Sequence, residues 1–231
     1  MRRCRLPARR RFKATILTTS NTPDAVLFLA SQCPHCPVVL AGLSDLVKRG
    51  VIGQLQVVNI EQHPEAAQAR GVRSVPWLRI GPFELTGART LAELEVWARR
   101  AVSDAGMSDA FHDLLKQGGL AQVLELIAAE PARLAALLPI VANPEASLNV
   151  KLGIGVVFED YAGKPDLQAL VEPLGALTRD VDARVRADAC HLLSLTQTSA
   201  ALPWLRNALQ DSAPDVREIA AESVQTLEAN V

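Results

Sequence analysis

The residues best suited to chemistry are Cys33-Pro34-His35-Cys36. Two thiols at this spacing can form a disulfide or share a metal, and the surroundings decide between them. A thiol acts as a nucleophile only as its thiolate. The apolar run at 25–30 precedes the pair, and apolar residues at helical spacing, Val39, Leu43, Leu46 and Val47, follow it. Cys33 is therefore expected at a strand–helix junction, where free backbone N–H groups and the helix dipole favour a thiolate. Cys36, one turn further, is expected within reach of a mixed disulfide on Cys33. Pro34 and Pro37 suit a helix start, where a missing N–H costs nothing. A protonated His35 would favour the Cys33 thiolate further. The competing chemistry is zinc binding. Cys33, His35 and Cys36 offer three ligands, whereas a closed site takes four. The chain has no second C-x-x-C and no H-x3-5-H, and Cys4 is distant, so no metal is assigned.

The flanking elements alternate. Residues 25–30 read as a strand buried on both faces. Residues 38–49 read as a helix closed by Lys48-Arg49-Gly50. Residues 55–60 form a second strand, and 64–70 a helix closed by Gly71. Residues 77–80 and 83–86 are two strands around the Gly81-Pro82 turn. Thr90-Leu-Ala-Glu93 is a capping box opening a helix to about residue 102. The order βαβαββα predicts an α/β fold, its first two strands parallel and its last two a hairpin.

Composition narrows the function classes. The chain has 231 residues, 49% apolar and 21% charged, enough for one large domain or two small ones. A net charge of −1 excludes nucleic-acid binding through bulk charge. Four cysteines are too few for a disulfide scaffold. No apolar stretch approaches the roughly 20 residues of a membrane span, and the basic N-terminus lacks the apolar core of a signal peptide. The expectation is a cytoplasmic protein with neither membrane nor nucleic-acid partners. Charge divides the chain: residues 1–13 carry +7, residues 14–102 carry 8 basic and 7 acidic groups, and residues 103–231 carry 9 basic and 18 acidic groups. We read a basic, disordered tail at 1–13, an α/β domain at 14–104 and a helical domain at 105–231.

Taken together, C-x-x-C, Val75-Pro76 about forty residues later and the βαβ–ββα order resemble the thioredoxin superfamily, most closely its small glutaredoxin-sized members. The segment from Asn59 to Trp77 resembles that family's second strand, helix and cis-proline loop, and Thr86-Gly87-Ala88 with the helix after it resembles the family's last strand and helix. The resemblance implies a redox-active Cys33–Cys36 pair with no other cofactor, tuned by Pro34 and His35. It also implies a cis Pro76 and a substrate-binding edge formed by Val75, Pro76 and Trp77. Family members place a buried Asp and a Lys where this chain has Leu27 and Val57, and a Trp where it has Gln32. Cys-Pro-His-Cys resembles the setting of bacterial disulfide-forming oxidases, which implies a more oxidising couple than thioredoxin.

Beyond the Gly118-Gly119 break, which ends a short helix at 109–117, the periodicity is helical throughout. The segment starting at Asp180 aligns with that starting at Asp211 at an offset of 31, placing Val185 on Val216, Arg186 on Arg217 and Ala189 on Ala220. A weaker copy places Val150-Lys151 at the Val-Arg position. The pattern resembles HEAT repeats, which implies that the Asp caps one repeat while the Arg pairs with the neighbouring turn. Cys190 reads as a packed core thiol. The functional expectation is a thiol–disulfide oxidoreductase acting on proteins with disulfides or thiols and fed by a separate electron donor or acceptor, with the repeats selecting partners. The alternative is a repeat adaptor with a vestigial redox fold.

Overall fold

The structure, a computed structural model, describes residues 22–230. The basic tail at 1–13 and Cys4 lie outside the described residues.

The first part contains β1 (Ala25–Leu29), α1 (Cys36–Lys48), β2 (Leu55–Asn59), α2 (Pro64–Ala69), β3 (Trp77–Ile80), β4 (Phe83–Thr86) and α3 (Leu91–Arg100). The sheet order is β2-β1-β3-β4. β1 and β2 run parallel, with Leu29 opposite Asn59, and β3 and β4 form the hairpin. Both faces of β1 are covered, which explains why the strand is apolar at every position. Leu27, Leu78, Ile80 and Leu85 pack against Val39, Leu43 and Leu46 of α1 and Leu94 of α3. Val26, Phe28, Val58 and Trp77 pack against Ala67 of α2 on the other face. The capping box forms: the Thr90 hydroxyl oxygen accepts from Glu93 N–H, and the Glu93 carboxylate accepts from Thr90 N–H at 2.8 Å.

The second part is helical: α4 (Asp104–Lys116), α5 (Leu120–Ala129), a 3-10 turn (Pro131–Leu137), α6 (Leu138–Val141), α7 (Leu148–Asp160), α8 (Pro165–Gln168), α9 (Val171–Leu177), α10 (Ala183–Leu195), a second 3-10 turn (Ser199–Ala201), α11 (Leu202–Ala208) and α12 (Pro214–Asn230). α4 begins five residues before the expected 109, because Ser103 caps it: its hydroxyl accepts from Gly106 N–H at 3.1 Å.

The two parts share core. Phe83 of β4 is fully buried among the helical-domain side chains, and its ring meets Trp97 edge-on at 5.1 Å. Arg100 lies over the Trp97 ring and pairs with Asp113 at 2.7 Å. Gln122 donates to the Glu84 carbonyl at 3.1 Å, so an otherwise free sheet edge is covered. A Cβ on Gly106 would stand 2.5 Å from Arg100 Cα and 2.8 Å from the Arg100 carbonyl oxygen, and backbone cannot swing aside. Gly106→Ala is therefore expected to destabilise the protein by about 3 kcal/mol, the upper range for overpacking. Gly155→Ala, whose Cβ meets nothing within 4 Å, is expected to stabilise α7 by up to about 1 kcal/mol. Urea denaturation followed by tryptophan fluorescence compares the two.

The repeat offset of 31 recurs in the hydrogen bonds. The Asp180 carboxylate accepts from Asp182 N–H at 2.9 Å, and the Asp211 carboxylate from Ala213 N–H at 2.8 Å. Arg186 donates to the Asp180 and Val181 carbonyls, and Arg217 to the Asp211 and Ser212 carbonyls. Arg186 also grips Asp211 of the next turn with two bonds, at 2.7 and 2.8 Å. The earlier copy keeps the turn, with the Asn143 side chain accepting from Glu145 N–H at 3.0 Å, but differs further on. Lys151 pairs with Asp188, a residue of α10 and not of a turn, at 2.8 Å.

Candidate functional site

Cys33 follows β1 in a turn closed by its own N–H donating to the Ala30 carbonyl at 3.3 Å. Regular helix begins at Cys36, with His35 as the cap residue. Pro37 has no N–H to donate to the Cys33 carbonyl, so the first full turn starts late. The sequence reading opened this helix at residue 38; it opens two residues earlier, so that Cys36 heads the helix and Cys33 stands one turn ahead of it.

The two sulfurs stand at disulfide distance, with the Cα atoms 5.5 Å apart. Cys36 is buried, at 3% exposure, while Cys33 is half-buried. Of the two, Cys33 alone presents surface to a partner. Its Sγ lies 3.8 Å from the Val75 carbonyl oxygen. The Val75–Pro76 bond is cis, and the Pro76 carbonyl accepts from Gly87 N–H at 2.9 Å, tying the loop to the end of β4. Pro34 and His35 are exposed beside the pair.

Trp77 is placed differently from the sequence reading. It is 5% exposed and packs edge-on against Phe28 at 5.3 Å, because the first residue of β3 faces α2. It supports the cis-proline loop from beneath and offers no surface to a substrate. Leu27 is fully buried, whereas Val57, opposite it on β2, is 43% exposed. β2 is an edge strand, so an apolar residue there answers no buried charge.

A polar cluster beside the pair escaped the sequence reading. Ser31 donates to the Glu61 carboxylate through both its backbone N–H, at 3.1 Å, and its hydroxyl. Asn59 donates to the Ser31 hydroxyl oxygen at 3.2 Å and accepts from Glu61 N–H at 2.8 Å. The cluster pins the loop carrying Cys33 to the loop after β2. Its members are thirty positions apart and of common types, so no local pattern could have revealed them.

Cys190 is fully buried, and burial pushes its thiol up to about 11. It is a packing residue, as read from the sequence. Among the described residues no three His, Cys, Asp or Glu side chains converge as a metal cluster. No helix among them is long and apolar enough to cross a membrane.

Fold and site together define a dithiol-bearing α/β domain that shares its core with a helical repeat array. Residues 25–99 match the thioredoxin domain family, and residues 161–229 match HEAT repeats. The chain carries a thioredoxin domain followed by HEAT repeats. The earlier repeat copy around Val150 precedes the matched stretch. No curated protein matches the chain.

Proposed function

We propose that the protein is a thiol–disulfide oxidoreductase acting on protein substrates. The observation that carries this reading is the asymmetry of the pair: Cys33 is reachable beside the cis-proline loop, and Cys36 is buried behind it. In the reductive direction the Cys33 thiolate attacks a substrate disulfide, whose S–S bond breaks and whose second sulfur leaves as a thiolate. Cys36, as its thiolate, then attacks Cys33 Sγ. The substrate's remaining sulfur leaves, and the Cys33–Cys36 disulfide has taken the place of the substrate's. Two electrons have passed to the substrate, and an external dithiol must restore the pair. Beyond the pair this chemistry needs no cofactor, and it suits a reducing, cytoplasmic setting.

Insulin reduction by dithiothreitol tests the reading. A rate clearly above the uncatalysed one is expected, and no acceleration would leave the adaptor alternative. His35→Ala is expected to lower the reduction potential by tens of millivolts, where 30 mV corresponds to about 1.4 kcal/mol. An imidazolium beside Cys33 favours the thiolate over the neutral disulfide, so its loss favours oxidation. A glutathione equilibrium series measures the shift, and an unchanged or raised potential would assign the poise to the backbone N–H groups instead.

The repeats serve in this reading as the partner-binding module. Leu148, Leu152 and Val156 form an exposed apolar stripe at four-residue spacing on α7, 70%, 59% and 43% exposed. Such a stripe fits an amphipathic segment. The helical part carries 9 basic and 18 acidic residues, so the occupant it favours is a basic segment of the substrate protein. Leu152→Glu is expected to lower substrate capture several-fold more than it lowers insulin reduction.

A further inference from the structure

We infer that Arg89, assisted by Arg73, selects substrates carrying a carboxylate next to the reactive sulfur on the side facing the cis-proline loop. The inference rests on the oxidoreductase reading and names a substrate class for the same site.

The topology carries it. β1 and β2 end side by side, with Leu29 opposite Asn59. β3 starts at that same end, since Trp77 pairs with Phe28, and β4 finishes there, with Thr86 opposite Trp77. Four loops therefore emerge from one end of the sheet in the order β2, β1, β3, β4. They carry, in that order, Glu61, Cys33, Pro76 and Arg89. The reactive sulfur thus stands between a carboxylate on one side and a guanidinium on the other, spread over strands about 4.8 Å apart.

The two charges are held differently. Glu61 accepts two hydrogen bonds from Ser31, so its side chain is engaged. Arg89 is half-buried and donates to the Ala88 carbonyl at 2.9 Å, which folds it back over Gly87. Its Nη1 lies 3.9 Å from where a Cβ on Gly87 would stand. Gly87 N–H holds the Pro76 carbonyl, and the preceding Val75 carbonyl faces Cys33 Sγ. Among the described residues Arg89 has no carboxylate within ion-pair distance, whereas Arg49, Arg99 and Arg100 of the same domain each have one. Glu93, which feels the charge of Arg89, is committed to the Thr90 cap. Arg73, two residues before Val75, is exposed and likewise without an ion-pair partner among the described residues. A substrate strand lying along Val75 therefore meets unpaired positive charge on one flank and a carboxylate on the other, and such complementarity sets orientation and encounter rate.

The test uses the full chain, reduced beforehand, in single-turnover stopped-flow. The probes are three short cysteine peptides, each joined by a disulfide to the same chromogenic aromatic thiol and differing in whether Asp, Lys or Ala flanks the cysteine. Cys33 attacks the probe disulfide and displaces the aromatic thiolate, whose absorbance is read, and Cys36 then releases the peptide thiol. Each rate is divided by that of free dithiothreitol on the same peptide. The acidic peptide is expected to react about tenfold faster than the basic one at low salt, with the ratio shrinking in 0.5 M salt. Arg89→Gln should erase most of the ratio and Arg89→Glu should reverse it. Lys48→Glu, the same charge change at the far end of α1, should leave the preference standing. An equal or opposite preference in the wild type, or one that Arg89→Glu does not move, overturns the inference. If even the Ala-flanked peptide reacts no faster than with dithiothreitol, the oxidoreductase reading fails, and this inference fails with it.

Discussion

Arg186→Ala is expected to lower the stability of the protein by about 3 kcal/mol, the low end of the cost of breaking a buried ion pair. The Arg186 and Asp211 side chains are only 12% and 11% exposed. The guanidinium makes two parallel bonds to the carboxylate and two more to the carbonyls of the preceding turn. Its removal strands a desolvated carboxylate and frees two carbonyls at once. Arg186→Lys should recover little, because an ammonium cannot reproduce the planar fork. In a protein of this size the loss corresponds to a Tm lowered by roughly 6–12 °C.

The comparison with Arg184 decides which charge matters. Arg184 bonds to both Asp182 and Glu145 and holds the Asp182 carboxyl down at about 2. Asp182 therefore favours folding above its ordinary range and loses that contribution only as pH falls towards 2. Yet Arg184 and Glu145 are largely exposed, and water screens such a pair. Arg184→Ala is thus expected to cost no more than about 1 kcal/mol. Thermal denaturation of the two variants side by side checks the order, and equal losses would contradict the claim that the desolvated Arg186–Asp211 pair outweighs the exposed one.

These residues also show what a sequence discloses. The turns were legible because Asp and Arg recur at an offset of 31 and the second copy makes the same turn bonds, and the Arg186–Asp211 link followed from the resemblance to HEAT repeats. β1 was legible because burial on both faces leaves no polar position. The start of α1 was placed two residues late, at 38, because the apolar periodicity begins only with Val39 and is silent at Cys36 and Pro37. Trp77 was assigned to the substrate surface by resemblance, while the strand's pleat turns it inward onto Phe28. Pairing across loops, as in Ser31 with Glu61, depends on strand order, which no local pattern contains. The joint between the two parts was hidden for the same reason. Phe83 reads as an ordinary strand residue, and only the packing of α4 and its neighbours shows that it belongs to the helical core.

Cys33→Ser is expected to reduce turnover on insulin by roughly a thousandfold or more, since the attacking group itself is gone. Cys36→Ser should behave differently. It retains the half-exposed Cys33 thiol and loses only the sulfur that releases the substrate. One equivalent of substrate should therefore react and remain attached, replacing turnover by stoichiometric capture. Cys190 provides an internal control, because its buried thiol, pushed up to about 11, should stay unmodified in the native protein at neutral pH.

Mass-spectrometric mapping of that captured species tests the division of labour between the two cysteines most directly. The reduced Cys36→Ser protein is mixed with a disulfide-bearing peptide, quenched with acid and digested without reductant. The account predicts a peptide joined through Cys33 in the Cys36→Ser protein and none joined through Cys36 in the Cys33→Ser protein. An adduct located on Cys190, or none on Cys33 in Cys36→Ser, would contradict it.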